Sequence, residues 1–213
     1  MGLASAGRFN QNVLMPPRRP IILGFHIIFT GYGHWLPNDI RGSGSSEVNS
    51  RPLRELGPIH LGRKPVQPPR GELRKFLGEA EERLQFPVLW FDEPMRQSLA
   101  AGFAEAIRKE GYTCYAAAVL RNHFHCLIRR HCDDADAICD RLSEHSRQAL
   151  LAANPQLGNH PIWGRDDHKI FKDSVGAMRA TVGYVNKNPQ REGLPPQSWP
   201  FVTPYDGWPG KRS

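Results

Sequence analysis

Long apolar runs are missing from this 213-residue chain, and the longest, around Ile21–Phe29, is interrupted by Gly24 and His26. A transmembrane helix is thereby excluded. Cysteine is scarce: Cys114, Cys126, Cys132 and Cys139 form no Cys-x-x-Cys pair. A zinc finger is therefore not expected, and the thiols read as reduced. The first residues carry Arg8, Arg18 and Arg19 without an apolar stretch ahead of a small-residue cleavage site, so no secretory leader is expected. Neither sign of charge dominates strongly, with 28 Lys+Arg against 21 Asp+Glu, a net +7. The excess fits a polyanionic partner, and most of it, a net +5, lies in residues 1–90. Hydrophobic residues at 39% suffice for the core of one domain.

Residues 1–20 end in Pro16, Pro17 and Pro20 and read as a flexible basic arm. From 21 to 30, Phe25, Ile27 and Phe29 alternate with His26, Ile28 and Thr30, the pattern of a strand covered on both faces. Residues 31–90 are rich in Gly, Pro, Ser and Arg and form an irregular insertion, relieved by a short charged helix over 72–85. A firmer helix spans 94–110: Asp92 caps it, Met95, Leu99, Phe103 and Ile107 repeat at i+4, and Gly111 ends it. Strands follow at 112–120 and 123–130, then a helix over 134–153 and an extended segment over 161–172. A last helix starts at Ser174 and is expected to stop at Pro189. Residues 196–213 read as an extended tail. This order predicts an α+β fold with a ferredoxin-like βαββαβ antiparallel sheet and an added C-terminal helix.

Chemistry concentrates in Asn122-His123-Phe124-His125-Cys126. On a strand His123 and His125 share a face, opposite Phe124 and Cys126, and two imidazoles so placed can share a divalent ion or simply be half-buried. Leu127 stands where nucleotide hydrolases with three alternating histidines need a third, and His125 where His-x-Ser/Thr phosphoesterases need a hydroxyl. On the last helix Val175, Met178, Val182 and Val185 form an apolar stripe, and Tyr184 projects roughly 140° from its centre. Asn188 lies one turn beyond on the same face, flanked by the small Ala177 and Thr181. A tyrosine off the apolar stripe is either a surface residue or one with a task.

The strand Gly24–Thr30, the run Val119–His125, the Trp163 region, and Tyr184-Val185-Asn186-Lys187-Asn188-Pro189 with Glu192-Gly193-Leu194 together resemble a known family. It is the single-tyrosine transposases with a His-hydrophobic-His motif, most closely their REP-associated tyrosine transposase branch. Leu120-Arg121 replaces the Met-Pro common there. The resemblance implies a catalytic domain over 21–195, with Tyr184 as nucleophile and His123, His125 and Asn188 as ligands of Mg²⁺ or Mn²⁺. It also implies single-stranded or hairpin DNA as partner, a monomer or homodimer, and a cytoplasmic, nucleoid-associated protein. The chemistry agrees, because a phenol is only about 0.1% ionised at neutral pH and needs help as a nucleophile.

Arg121, Arg129, Arg130, Lys187 and Arg191 surround the motifs, and Arg18 and Arg19 lie in the arm; all are candidates for phosphate contacts. Tyr32 and Trp35 either stack on bases or anchor the insertion. A non-catalytic hairpin-binding relative of the same fold stays open as the alternative. A relaxase with a three-histidine cluster would need a third histidine, and His131 lies too far along the chain to extend the pair.

Overall fold

A computed structural model describes residues 21–44, 47–48, 51–165 and 167–209. Its centre is a four-stranded antiparallel sheet in the order β2-β3-β1-β4, formed by β1 (Gly24–Thr30), β2 (Cys114–Val119), β3 (His123–Arg129) and β4 (His168–Lys172). Helices α3 (Glu93–Glu110) and α4 (Ala135–Ala153) cover one face, and α5 (Val175–Arg191) covers the other. The α+β, ferredoxin-like expectation with an added C-terminal helix holds. Two further helices, α1 (Arg51–Arg54) and α2 (Arg70–Glu81), lie inside the insertion.

Strand alternation explains the two-sided core. Phe25, Ile27 and Phe29 of β1, with Phe124, Cys126 and Ile128 of β3, face α3 and α4. There Phe103 of α3 stacks on Phe124 at 3.7 Å between centroids, and the Trp163 indole donates to Ser146 Oγ at 3.1 Å. On the opposite face Leu127, Ala116 and Ala118 meet Met178 and Val185. Alanines on β2 leave α5 room to approach the sheet.

Helix ends follow local chemistry. Asp92 accepts from the Met95 amide to start α3, and Gly111, at φ 70°, ends it. Asp134 and Ser174 cap α4 and α5 in the same way. The expected stop at Pro189 is not where α5 ends, because the helix runs to Arg191 with Pro189 inside its last turn. A proline there forfeits one hydrogen bond without blocking the turn. The stop is Gly193, at φ 68°. Leu194 N–H donates to Pro189 O at 2.8 Å and Gly193 N–H to Gln190 O at 3.1 Å, the two bonds of a Schellman cap.

The insertion has its own small core of Leu36, Val48, Leu53 and Ala80. Past α5 the chain follows the open edge of β2: the Gln197 amide bonds both N–H and C=O of Val119, and Thr203 N–H donates to Cys114 O. That contact covers an edge strand that would otherwise offer unpaired backbone. All four cysteines are free thiols, three of them buried. Among the described residues no helix is long and apolar enough to cross a membrane.

Candidate active site

β3 carries His123 and His125 onto the α5 face, where both are buried. His123 pairs with Thr30 and His125 with Ile28 across the β1–β3 ladder. Two residues further along that face of β1 stands His26, also buried, whose Nε2 lies 3.1 Å from His125 Nδ1. The face therefore holds three buried histidines, and His168 of β4, paired with Ile28, stands exposed on the same face. In the sequence His26 is visible only as the residue out of phase with Phe25 and Ile27; the strand register places it beside His125.

The ring nitrogens are sorted by their partners. His123 Nδ1 lies 2.7 Å from Asn122 Oδ1, an acceptor, so Nδ1 carries the proton and Nε2 keeps its lone pair. When His125 donates from Nδ1 to His26, its Nε2 is left free in the same way. Burial first, then mutual repulsion, keeps the rings neutral. The pKa falls to about 4 for His123, where His34 adds to the burial, and to about 2 for His125, beside His123 and His26. His26 is lowered to about 4 by burial and then by Lys172 and His168. Neutral imidazole at pH 7 is the form that binds a metal.

Over these rings α5 presents Tyr184, Asn188 and Glu192 at successive four-residue steps, close to one helical face. The Tyr184 ring meets His125 at 5.6 Å and His26 at 5.9 Å, edge to face. Glu192 Oε1 lies 3.7 Å from His123 Nε2. Asn188, between the two, is thereby carried over the histidine pair. It is buried, and its Nδ2 is one of three buried side-chain polar atoms among the described residues without a hydrogen-bond partner. An unpartnered buried amide costs about 1–3 kcal/mol. A half-turn about its Cβ–Cγ bond presents Oδ1, a hard oxygen donor, in the same place. Two free imidazole nitrogens and this amide suit a divalent cation.

Tyr184 is 42% exposed, so the residue is open to a large substrate while its ring rests on the histidines. Arg191, two turns on, sets its guanidinium carbon 5.4 Å from the Tyr184 ring. Arg121 donates to the Glu192 carbonyl at 2.8 Å, closing the end of α5. Lys187 is exposed on α5. Arg129 and Arg130 are not part of this group: they stand at the other end of β3, about 20 Å from His123 by strand rise. There Arg129 covers the Trp208 ring at 4.0 Å. Arg18 and Arg19 lie outside the described residues.

The insertion contributes a wall. Trp35, at φ 47°, sets its ring 5.6 Å from His123. Arg41 lies over that indole at 4.8 Å and is held by the fully buried Asp39 through a 2.6 Å ion pair. A left-handed tryptophan is strained, and such strain persists only where neighbours enforce it. Tyr32 instead packs on Phe86 and His160 and anchors the loop. Beside Trp35 opens a cleft of about 570 Å³, reaching Arg83 and Arg165.

One further group of potential ligands, His131, Cys132 and Asp133, has its donor atoms within 4.8 Å of one another. Two of its donors are already engaged. His131 Nδ1 accepts from the Asp133 amide, and the Asp133 carboxylate accepts from Tyr112 and pairs with Arg141.

No protein-family model and no curated protein matches this sequence. Among solved structures, the fold is similar to a REP-associated tyrosine transposase bound to a REP hairpin. The identity is 16%, the match spans 88% of this chain and 80% of that one, and the TM-score is 0.44. A candidate transposase from Deinococcus radiodurans R1 is similar at 11% identity over 82% of this chain and 95% of that one, with a TM-score of 0.37.

Proposed function

We propose that the protein is a metal-dependent tyrosine nuclease and strand transferase acting on single-stranded or hairpin DNA. The observation that carries this reading is that α5 sets Tyr184 against His125 and Glu192 beside the free nitrogen of His123, with Asn188 between them on the same helical face. His123, His125 and Asn188 are the residues that would hold Mg²⁺ or Mn²⁺. When bound, such an ion supplies Lewis-acid polarisation of a phosphate oxygen.

The chain's own groups do the rest. Oη of Tyr184, a residue half-exposed on α5, attacks the scissile phosphorus and loses its proton. The P–O3′ bond breaks, and the leaving oxygen takes up a proton to give a free 3′ hydroxyl. A 5′-phosphotyrosine bond is formed, and because one phosphodiester replaces another, the step is reversible and permits strand joining. Asn122 and His26 hold the two imidazoles in register, and Arg191 stands beside the phenol where phosphate charge arrives. A partly buried site of this shape, closed by α5 and Trp35, admits a single strand or a hairpin foot more readily than a stacked duplex.

The test is a covalent-adduct assay with labelled hairpin oligonucleotides and Mn²⁺. An SDS-resistant label that requires metal and disappears in Tyr184→Phe is the expected result. Tight hairpin binding with no adduct under any metal condition would replace this reading with a non-catalytic DNA-binding protein.

A further inference from the structure

Glu192 has no place in the ligand set described so far, yet its carboxylate is the acidic group nearest the free nitrogen of His123. We infer that Glu192 is a fourth protein ligand of the metal, an inference that rests on the proposed metal-dependent reading. The 3.7 Å between Glu192 Oε1 and His123 Nε2 is the first support. Two donors sharing one octahedral ion with bonds near 2.1 Å sit about 3 Å apart when adjacent and about 4.2 Å when opposite. The observed 3.7 Å is longer than the adjacent spacing by less than 1 Å, a gap that a small rotation of the Glu192 side chain closes.

The second support is the way the chain fixes this residue. Glu192 is the C-cap of α5, its backbone N–H bonds Asn188 O and Pro189 O, and its carbonyl accepts from Arg121. Gly193 then turns the chain away in a left-handed conformation. The backbone is thus clamped on both sides while the side chain, 36% exposed, keeps the freedom to swing onto an ion. The third support is donor chemistry. Two imidazoles and a neutral amide carry no charge and favour later transition metals. A carboxylate adds a negative charge and a hard oxygen, which shifts the site toward Mn²⁺ and Mg²⁺.

Mn²⁺ binding to the full chain, followed by electron paramagnetic resonance with and without a hairpin oligonucleotide, separates the possibilities. All proteins carry Tyr184→Phe so that no turnover intervenes. The parent is expected to bind Mn²⁺, His123→Ala to lose it, and Glu192→Gln to weaken it at least tenfold at both 0.05 and 0.5 M KCl. Glu192→Gln should also lower the preference for Mn²⁺ over Ni²⁺. Circular dichroism and melting confirm that each variant is folded. Glu192→Gln binding like its parent, while His123→Ala fails, overturns the Glu192 assignment and leaves the histidine site standing. A Glu192→Gln defect that vanishes at 0.5 M KCl shows a screened, through-space charge and overturns ligation. No Mn²⁺ binding by the parent, with or without DNA, overturns both readings.

Discussion

A buried histidine is held neutral at a cost that appears when the pH falls. His26, His123 and His125 sit on one sheet face with folded pKa values of about 4, 4 and 2, against about 6.5 in an unfolded chain. Their folded values are depressed, so below pH 6.5 the unfolded chain binds more protons than the native protein. The stability they leave intact above pH 6.5 is lost as pH falls toward 4, and for His125 further still. Each histidine that takes up its proton only on unfolding contributes about 1.4 kcal/mol per pH unit in that window. Urea midpoints measured at pH 7, 6 and 5 without metal should fall progressively, and His26→Leu should flatten the fall. Midpoints that stay level from pH 7 to 5 would show that the three rings are open to solvent. His26 also illustrates why this site is only half legible in the chain. The His-x-His pair follows from strand alternation within one segment. Contact between His26 and His125, 99 residues apart, follows from β1–β3 register, which no local pattern specifies.

Helices divide in the same way between what is local and what is not. The apolar stripe of α5 sets its phase, and Met178 and Val185 are indeed in the core. Its end is harder to read because Pro189 is the stronger local signal, whereas Gly193 makes the cap. That one turn hides Glu192, which gains its position over His123 only if the helix continues. The helix pair on the other face rests on a close approach that composition alone does not announce. A Cβ built on Gly102 of α3 would lie 2.5 Å from His145 O and 2.5 Å from Ser146 Cα, both backbone atoms of α4. Neither can move without shifting the helix. Gly102→Ala should therefore destabilise by about 3 kcal/mol and lower Tm by about 6–12 °C. Gly183 on α5 has no atom within 4 Å of its virtual Cβ. There the same change should stabilise by about 0.5–1 kcal/mol through helix propensity and a less flexible unfolded chain. Thermal melts of the two variants, side by side, check the contrast; equal shifts would mean that α3 and α4 do not meet at Gly102.

Across the whole molecule, the surplus of basic residues is less a uniform coat than a set of separate assignments. Arg121 secures the end of α5, Arg41 joins Asp39 to Trp35, and Arg129 covers Trp208. Lys187 and Arg191 are left exposed on the helix that carries Tyr184. The insertion brings Trp35 against His123 while α5 brings Tyr184 against His125, so both elements border the histidines. A single strand reaching Tyr184 along the exposed face of α5 would meet Lys187 and Arg191. Removing one cation that neutralises a phosphate should reduce the slope of log affinity against log salt by about 0.7 for a single strand. Anisotropy titrations between 0.05 and 0.3 M KCl should show this reduction in Lys187→Ala and Arg191→Ala, and roughly twice as much in the double variant. Arg121→Ala should lower the melting temperature while leaving the salt slope near its parent value, because its guanidinium serves the helix end. If instead Arg121→Ala reduces the slope and Lys187→Ala and Arg191→Ala leave it unchanged, the strand approaches along the β2–β3 turn, and the exposed face of α5 is not its path.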